Sequence, residues 1–223
     1  MDIAQLSDEL KVNFELKRMY YRMHKFAEDS KSISPILITS AADGEGKTVL
    51  SLILAMIFVE EGKKRCLLID GNWKNPALHS WLNIPLSNPA SRVINDPASC
   101  LQNTGIKDLD IICSPKDIDD NPEWGKAFVQ GTMNGFNEKL KMVSSNYDIV
   151  IIDGQSVFSK NTSILDPLYI ASIAKYTIMA VMMRKTDRSL IKRAKLALED
   201  VNRSISIILN NAHNPIYACG GKK

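Results

Sequence analysis

Cysteine is sparse in this chain. Cys66, Cys100, Cys113 and Cys219 are its four, and no two of them form a CxxC pair or any other metal spacing. That pattern excludes a disulfide-built scaffold and a thiolate zinc site. Cys66 and Cys113 lie in apolar runs, which reads as buried, reduced thiols of a cytosolic protein. Histidine is rarer still: His24, His79 and His213 stand at no spacing that would build a metal site or a Ser/His/Asp triad. No apolar run approaches the roughly 18 residues of a membrane-crossing helix. The first residues, Met1-Asp-Ile-Ala-Gln5, place an acid early and lack the basic start and apolar centre of a signal peptide. Neither sign of charge prevails. Twenty-eight basic and 25 acidic residues leave a net charge of +3, too balanced to argue for nucleic acid, and no nucleic-acid partner is expected.

What is present suffices for one sizeable core: 45% of the 223 residues are hydrophobic, and one domain is the default at this length. A charged segment over residues 1–30 has a helical pattern, with Leu10, Phe14, Met19, Tyr21 and Phe26 among its apolar positions. The remainder, 31–223, reads as one domain. Short apolar runs predict strands at 36–39, 66–69, 109–113, 148–153, 177–182 and 205–209. Between them helices are predicted at 49–61, near 76–81, over much of 123–143 after Asn121-Pro122, near 164–174, and after the cap Thr186-Asp187. Residues 83–107, rich in Pro, Asn and Ser, promise short helical turns at best. Strands alternating with helices imply an α/β fold: a mostly parallel sheet with helices on both faces.

One segment carries the chemistry. Ile36-Leu-Ile-Thr39 is a buried strand, Ser40 to Glu45 is a loop of mainly small residues, and Gly46-Lys47-Thr48 opens an apolar helix. Strand, loop, Gly-Lys-Thr and helix are the parts of a P-loop. Small residues let backbone N–H groups turn inward around a phosphate, and the helix N-terminus adds its positive dipole end. The nucleotide-contacting set is then Asp43, Gly44, Glu45, Gly46, Lys47, Thr48 and Val49. Lys47 would reach the β- and γ-phosphates, and Thr48 would put its hydroxyl on Mg²⁺. Ala41 stands where the pattern usually begins with Gly. In open parallel sheets ligands sit at the carboxyl ends of strands. That rule draws Thr48, Asp70, Asp153 and Asn210 to one edge. Asp153, closing Ile149-Val-Ile-Ile152, is the expected Mg²⁺ partner, and Asp70 is expected in a catalytic or metal role at the same crevice.

The motifs Ser40-Ala-Ala-Asp-Gly-Glu-Gly-Lys-Thr48, Leu67-Leu-Ile-Asp-Gly-Asn-Trp-Lys-Asn-Pro76 and Tyr147-Asp-Ile-Val-Ile-Ile-Asp153 resemble the Walker A, A-prime and B set of bacterial tyrosine kinases (BY-kinases). The similarity extends through Asn121-Pro-Glu123 and Ile207-Ile-Leu-Asn210. That family lies within the MinD/ParA-like P-loop ATPases and serves capsule and exopolysaccharide synthesis and export. The resemblance implies ATP and Mg²⁺ as cofactors and γ-phosphoryl transfer to tyrosine or to water. It implies Lys47, Asp70 and Asp153 as catalytic residues, with Asp70 the base, and Asn210 facing the adenine. An inner-membrane polysaccharide co-polymerase or activator is the implied partner, holding a cytoplasmic protein peripherally at that membrane. Positioning ATPases of the MinD/ParA group carry a lysine where this chain has Ala42, which favours the polysaccharide branch.

Three departures bear on activity. The A-prime motif, Asp-x-Asp in the family, reads Asp70-Gly71-Asn72; the Walker B aspartate is followed by Gly154-Gln155-Ser156 rather than Thr-Pro-Pro; and the tail holds a lone Tyr217 where the autokinases carry a cluster. These favour ATP binding with weak transfer, and a catalytically poor regulatory or assembly protein as the alternative. Glu15-Leu-Lys-Arg18, with Arg22 one residue late, approximates the family's Glu-x-x-Arg-x-x-Arg homo-oligomer contact; an ordinary intrahelical ion pair is the equal alternative. Trp73 and Trp81 read as packing residues. The basic cluster Arg184, Lys185, Arg188, Lys192, Arg193 and Lys195 reads as a solvated helix face.

Overall fold

A computed structural model describes Arg18, Tyr20, Tyr21 and residues 34–117, 133–159 and 165–210. Seven strands form one sheet: β1 (Ile36–Ser40), β2 (Cys66–Asp70), β3 (Leu101–Asn103), β4 (Leu109–Ile112), β5 (Ile149–Ser156), β6 (Tyr176–Met182) and β7 (Ile205–Asn210). Their order is β3-β4-β2-β5-β1-β6-β7. All neighbours run parallel except β3 against β4. The helices are α1 (Lys47–Glu60), α2 (Leu78–Trp81), α3 (Ala90–Asn95), α4 (Met133–Ser144), α5 (Pro167–Ile173) and α6 (Arg188–Val201), with a 3₁₀ turn at Pro97–Cys100.

The central strands are apolar at nearly every position because both faces are covered. All five residues of β1 are buried. Ile36 and Ile38 join the side of the core that holds Leu52, Leu54 and Phe58 of α1. Leu37 turns the other way, toward the cluster that holds Ala171 of α5 with Ala194 and Leu198 of α6. Each such side chain contributes roughly 1.5–3 kcal/mol when removed from water. The helix α1 is buried on almost every side, from Leu50 through Val59, and it packs on β1, β2 and β5. Cys66, Cys100 and Cys113 are buried free thiols, and burial pushes Cys113 up to about 12.

Parallel pairing brings the carboxyl ends Ser40, Asp70, Ser156, Met182 and Asn210 to one edge of the sheet. A register irregularity between Ile38 and Ser40 lets β5 continue past Asp153 to Ser156. The short strand β3 has no counterpart in the sequence reading of 83–107 as turns. Trp73 is buried at 3% exposure and Trp81 packs against the core, as expected. Most of residues 1–30, Asn121-Pro122-Glu123 and Tyr217 lie outside the described residues.

Candidate nucleotide-binding site

The loop after β1 turns on two glycines in the left-handed region, Gly44 at φ 74° and Gly46 at φ 85°, where a side chain would be strained. Gly46 also has no room: a Cβ there would lie 2.2 Å from the Asn210 amide nitrogen. Gly46 is the N-cap of α1, and no side chain caps that helix. The first-turn N–H groups, which include those of Thr48 and Val49, therefore have no intrahelical partner and face the loop mouth with the positive end of the helix dipole.

Lys47 is 6% exposed. Its Nζ donates to Ser40 Oγ at 3.0 Å, and that hydroxyl donates to the carbonyl of Ala42 at 2.6 Å. Burial holds the lysine below its ordinary value, opposed by Asp153, Asp43 and Glu45. A buried cation facing an uncapped helix start suits a polyanion.

The two aspartates meet as expected. Asp70 and Asp153 are Cα partners across β2 and β5, exposed by 1% and 0%. Asp153 Oδ1 accepts from Ser51 Oγ at 3.3 Å, and the neighbouring Thr48 side chain favours its charged form. Asp70 Oδ1 accepts from the Asn72 N–H at 3.1 Å. The second oxygen of each, Oδ2, is buried without a hydrogen-bond partner. Burial raises Asp153 to about 6, against Thr48, Lys47 and Ser51. Burial, then the charge of Asp153, raises Asp70. Two orphaned carboxylate oxygens beside a threonine hydroxyl fit a hard divalent cation. Among the described residues no group of three or more His, Cys, Asp or Glu forms a metal cage. Mg²⁺ needs none, since it keeps water and phosphate oxygens as ligands.

The remaining predicted residues are also at this edge. Asp43 accepts from the Ser156 hydroxyl. Asn210 Nδ2 donates to the Glu45 carbonyl at 3.0 Å. Asn72 is drawn elsewhere: its amide donates to the Asn75 carbonyl at 3.0 Å and closes a turn. Sequence reasoning missed the Glu45 side chain. It is fully buried, and it accepts from the N–H groups of Ala42 at 2.9 Å and Met182 at 3.1 Å and from the Thr186 hydroxyl. Thr186 therefore serves the loop, while Asp187 alone caps α6 by accepting from Ser189. Lys185, read as part of a solvated face, donates to the Gly44 carbonyl at 3.1 Å. Ser40, Ser51 and Ser156 were missed too; their positions beside motif residues are the one local signal that marks them.

No protein-family model matches the chain. The tyrosine-protein kinase YwqD of Bacillus subtilis (strain 168) is 25% identical over 206 residues, 88% of this chain and 80% of that protein. The putative tyrosine-protein kinase CapB of Staphylococcus aureus is 25% identical over 173 residues, 76% of this chain and 71% of that protein. Among solved structures, the kinase domain of the Escherichia coli tyrosine kinase ETK matches with a TM-score of 0.73 at 16% identity, covering 93% of this chain and 77% of that one. The cell-division protein MinD of Aquifex aeolicus matches with a TM-score of 0.63 at 21% identity, covering 83% and 72%. The chain is thus similar in sequence to bacterial tyrosine kinases, and it shares its fold with the ETK kinase domain and with MinD.

Proposed function

We propose that this chain binds ATP with Mg²⁺ and acts in the manner of a BY-kinase catalytic domain in exopolysaccharide or capsule synthesis and export. The observation that carries the reading is Lys47, buried at an uncapped helix N-terminus and within electrostatic reach of Asp153, which is itself paired with Asp70 across two strands. The kinase names of the curated relatives support it. In this reading the N–H groups of Gly44 to Thr48 cradle the phosphates, and Lys47 offsets charge on the moving γ-phosphoryl group. Thr48 and Asp153 hold Mg²⁺, which neutralises phosphate charge when bound. Asp70, held protonation-prone by burial, takes the proton from the acceptor hydroxyl. Asn210 lies toward the adenine.

Binding that depends on Lys47 tests the site. A charge-assisted contact is worth roughly 1.5–3 kcal/mol, so Lys47→Ala should weaken ATP binding about tenfold or more in calorimetry. Equal affinities for mutant and wild type would refute the reading.

One further part of the proposal rests on the family resemblance. No helix among the described residues is long and apolar enough to cross a membrane, so attachment to the inner membrane is assigned to a co-polymerase or activator partner. Fractionation should move the chain from cytosol to membrane when neighbouring membrane proteins are co-expressed; a wholly cytosolic chain under those conditions counts against the partner. The second reading, a nucleotide-responsive assembly protein with little catalysis, is favoured by one observation: the Asn72 amide closes a turn rather than facing the two aspartates.

A further inference from the structure

The loop is held from outside. Its buried Glu45 carboxylate bridges Ala42 of the same loop to Met182, the last residue of β6, and to Thr186 in the turn before α6. A buried carboxylate is stable only when its oxygens are matched by donors, and here both are. Two more contacts come from the same side of the sheet. Lys185 Nζ holds the Gly44 carbonyl at 3.1 Å, and Asn210 Nδ2 holds the Glu45 carbonyl at 3.0 Å.

Peptide planarity gives these contacts a consequence. In a trans peptide the carbonyl and the following N–H point in opposite directions. With the carbonyls of Gly44 and Glu45 drawn toward Lys185 and Asn210, the N–H groups of Glu45 and Gly46 turn away from them, into the loop. Those are the groups that would meet a phosphate. We infer that Lys185 and Thr186 are positioning residues for the phosphate cradle: the turn between β6 and α6 sets phosphate affinity by holding Gly44 and Glu45, without itself touching the nucleotide. The inference rests on the nucleotide reading above.

Thr186→Val removes the hydroxyl donor to Glu45 at nearly constant shape, and Thr186→Ser restores it. Calorimetry with ATP·Mg²⁺ and with inorganic tripolyphosphate, which has no nucleoside to recognise, reads the effect. Thr186→Val should lose about five- to tenfold for both ligands, since one bond to a charged acceptor is disturbed, while Thr186→Ser keeps wild-type affinity. A structural role elsewhere in the fold would not be rescued this way. Should Thr186→Val fail to fold, Lys185→Met at an exposed side chain carries the same expectation. Unchanged affinities in the folded variants overturn the inference, as does a loss confined to ATP, which would mean that the turn contacts the nucleoside. Wild type that binds neither ligand would overturn the nucleotide reading itself.

Discussion

Asp70 and Asp153 face each other from neighbouring strands, and burial of both is the dominant electrostatic fact of the site. A carboxylate in a dry setting beside a like charge holds its proton. Asp153 is raised to about 6 even with Thr48, Lys47 and Ser51 opposing, and Asp70 is raised in the same direction. In metal-free protein the folded state then binds protons more tightly than the unfolded chain. The associated stability is full below the ordinary carboxylate value of 3.8 and is lost as pH rises through about 6. At about 1.4 kcal/mol per pKa unit, Asp153 alone accounts for a loss on the order of 1–3 kcal/mol. Urea unfolding in EDTA, compared with Asp153→Asn, isolates this contribution. Wild type should lose stability relative to Asp153→Asn between pH 4 and 6, a window bounded by those two values. A constant difference across it would show that the pair is less desolvated than its burial implies.

The elements that bear these residues differ in how plainly they are written in the sequence. A strand covered on both faces must be apolar throughout, so β1, β2, β5 and β6 stand out as runs. The polar residue that ends each run marks the ligand edge. The shared edge of Thr48, Asp70, Asp153 and Asn210 is therefore legible in the order of residues alone. The strand β3 is not. Leu101-Gln-Asn103 is short, mostly polar and at the sheet margin, and its antiparallel pairing with β4 comes from tertiary neighbours rather than pattern. The extension of β5 to Ser156 depends on a register shift against β1, which leaves no trace in periodicity. Glu45 is the sharpest case. A glutamate among glycines reads as exposed loop, yet its donors Met182 and Thr186 lie 137 and 141 residues away along the chain. Only the parallel order β1-β6-β7 brings them to it. Long-range satisfaction of a buried charge has no local signature.

For the molecule as a catalyst, the question is how much transfer this site supports once ATP is held. Phosphoryl transfer depends on positioning and charge, with little covalent work for the protein. The relatives named as tyrosine kinases are similar to this chain in sequence, but this chain has Asn72 where the family motif carries its second A-prime acid. A neutral amide neither holds a cation by charge nor accepts a proton. Here it is further committed to the Asn75 carbonyl, so it acts as a turn residue. The fold and phosphate loop do not depend on it, because Lys47 bonds Ser40, Ser51 bonds Asp153 and Glu45 is held by Met182 of β6. ATP binding should thus survive while transfer is poor. Asn72→Asp adds a negative charge near the buried pair and removes the donor to Asn75. It should lower stability by about 1 kcal/mol, the worth of a typical hydrogen bond. It should also raise phosphotyrosine several-fold in the presence of Mg²⁺. Mass spectrometry of purified protein after incubation with ATP·Mg²⁺ decides the matter. Stoichiometric phosphotyrosine in wild type, abolished by Lys47→Ala, would mean that Asp70 and Asp153 suffice for transfer and that the second A-prime acid is dispensable in this chain.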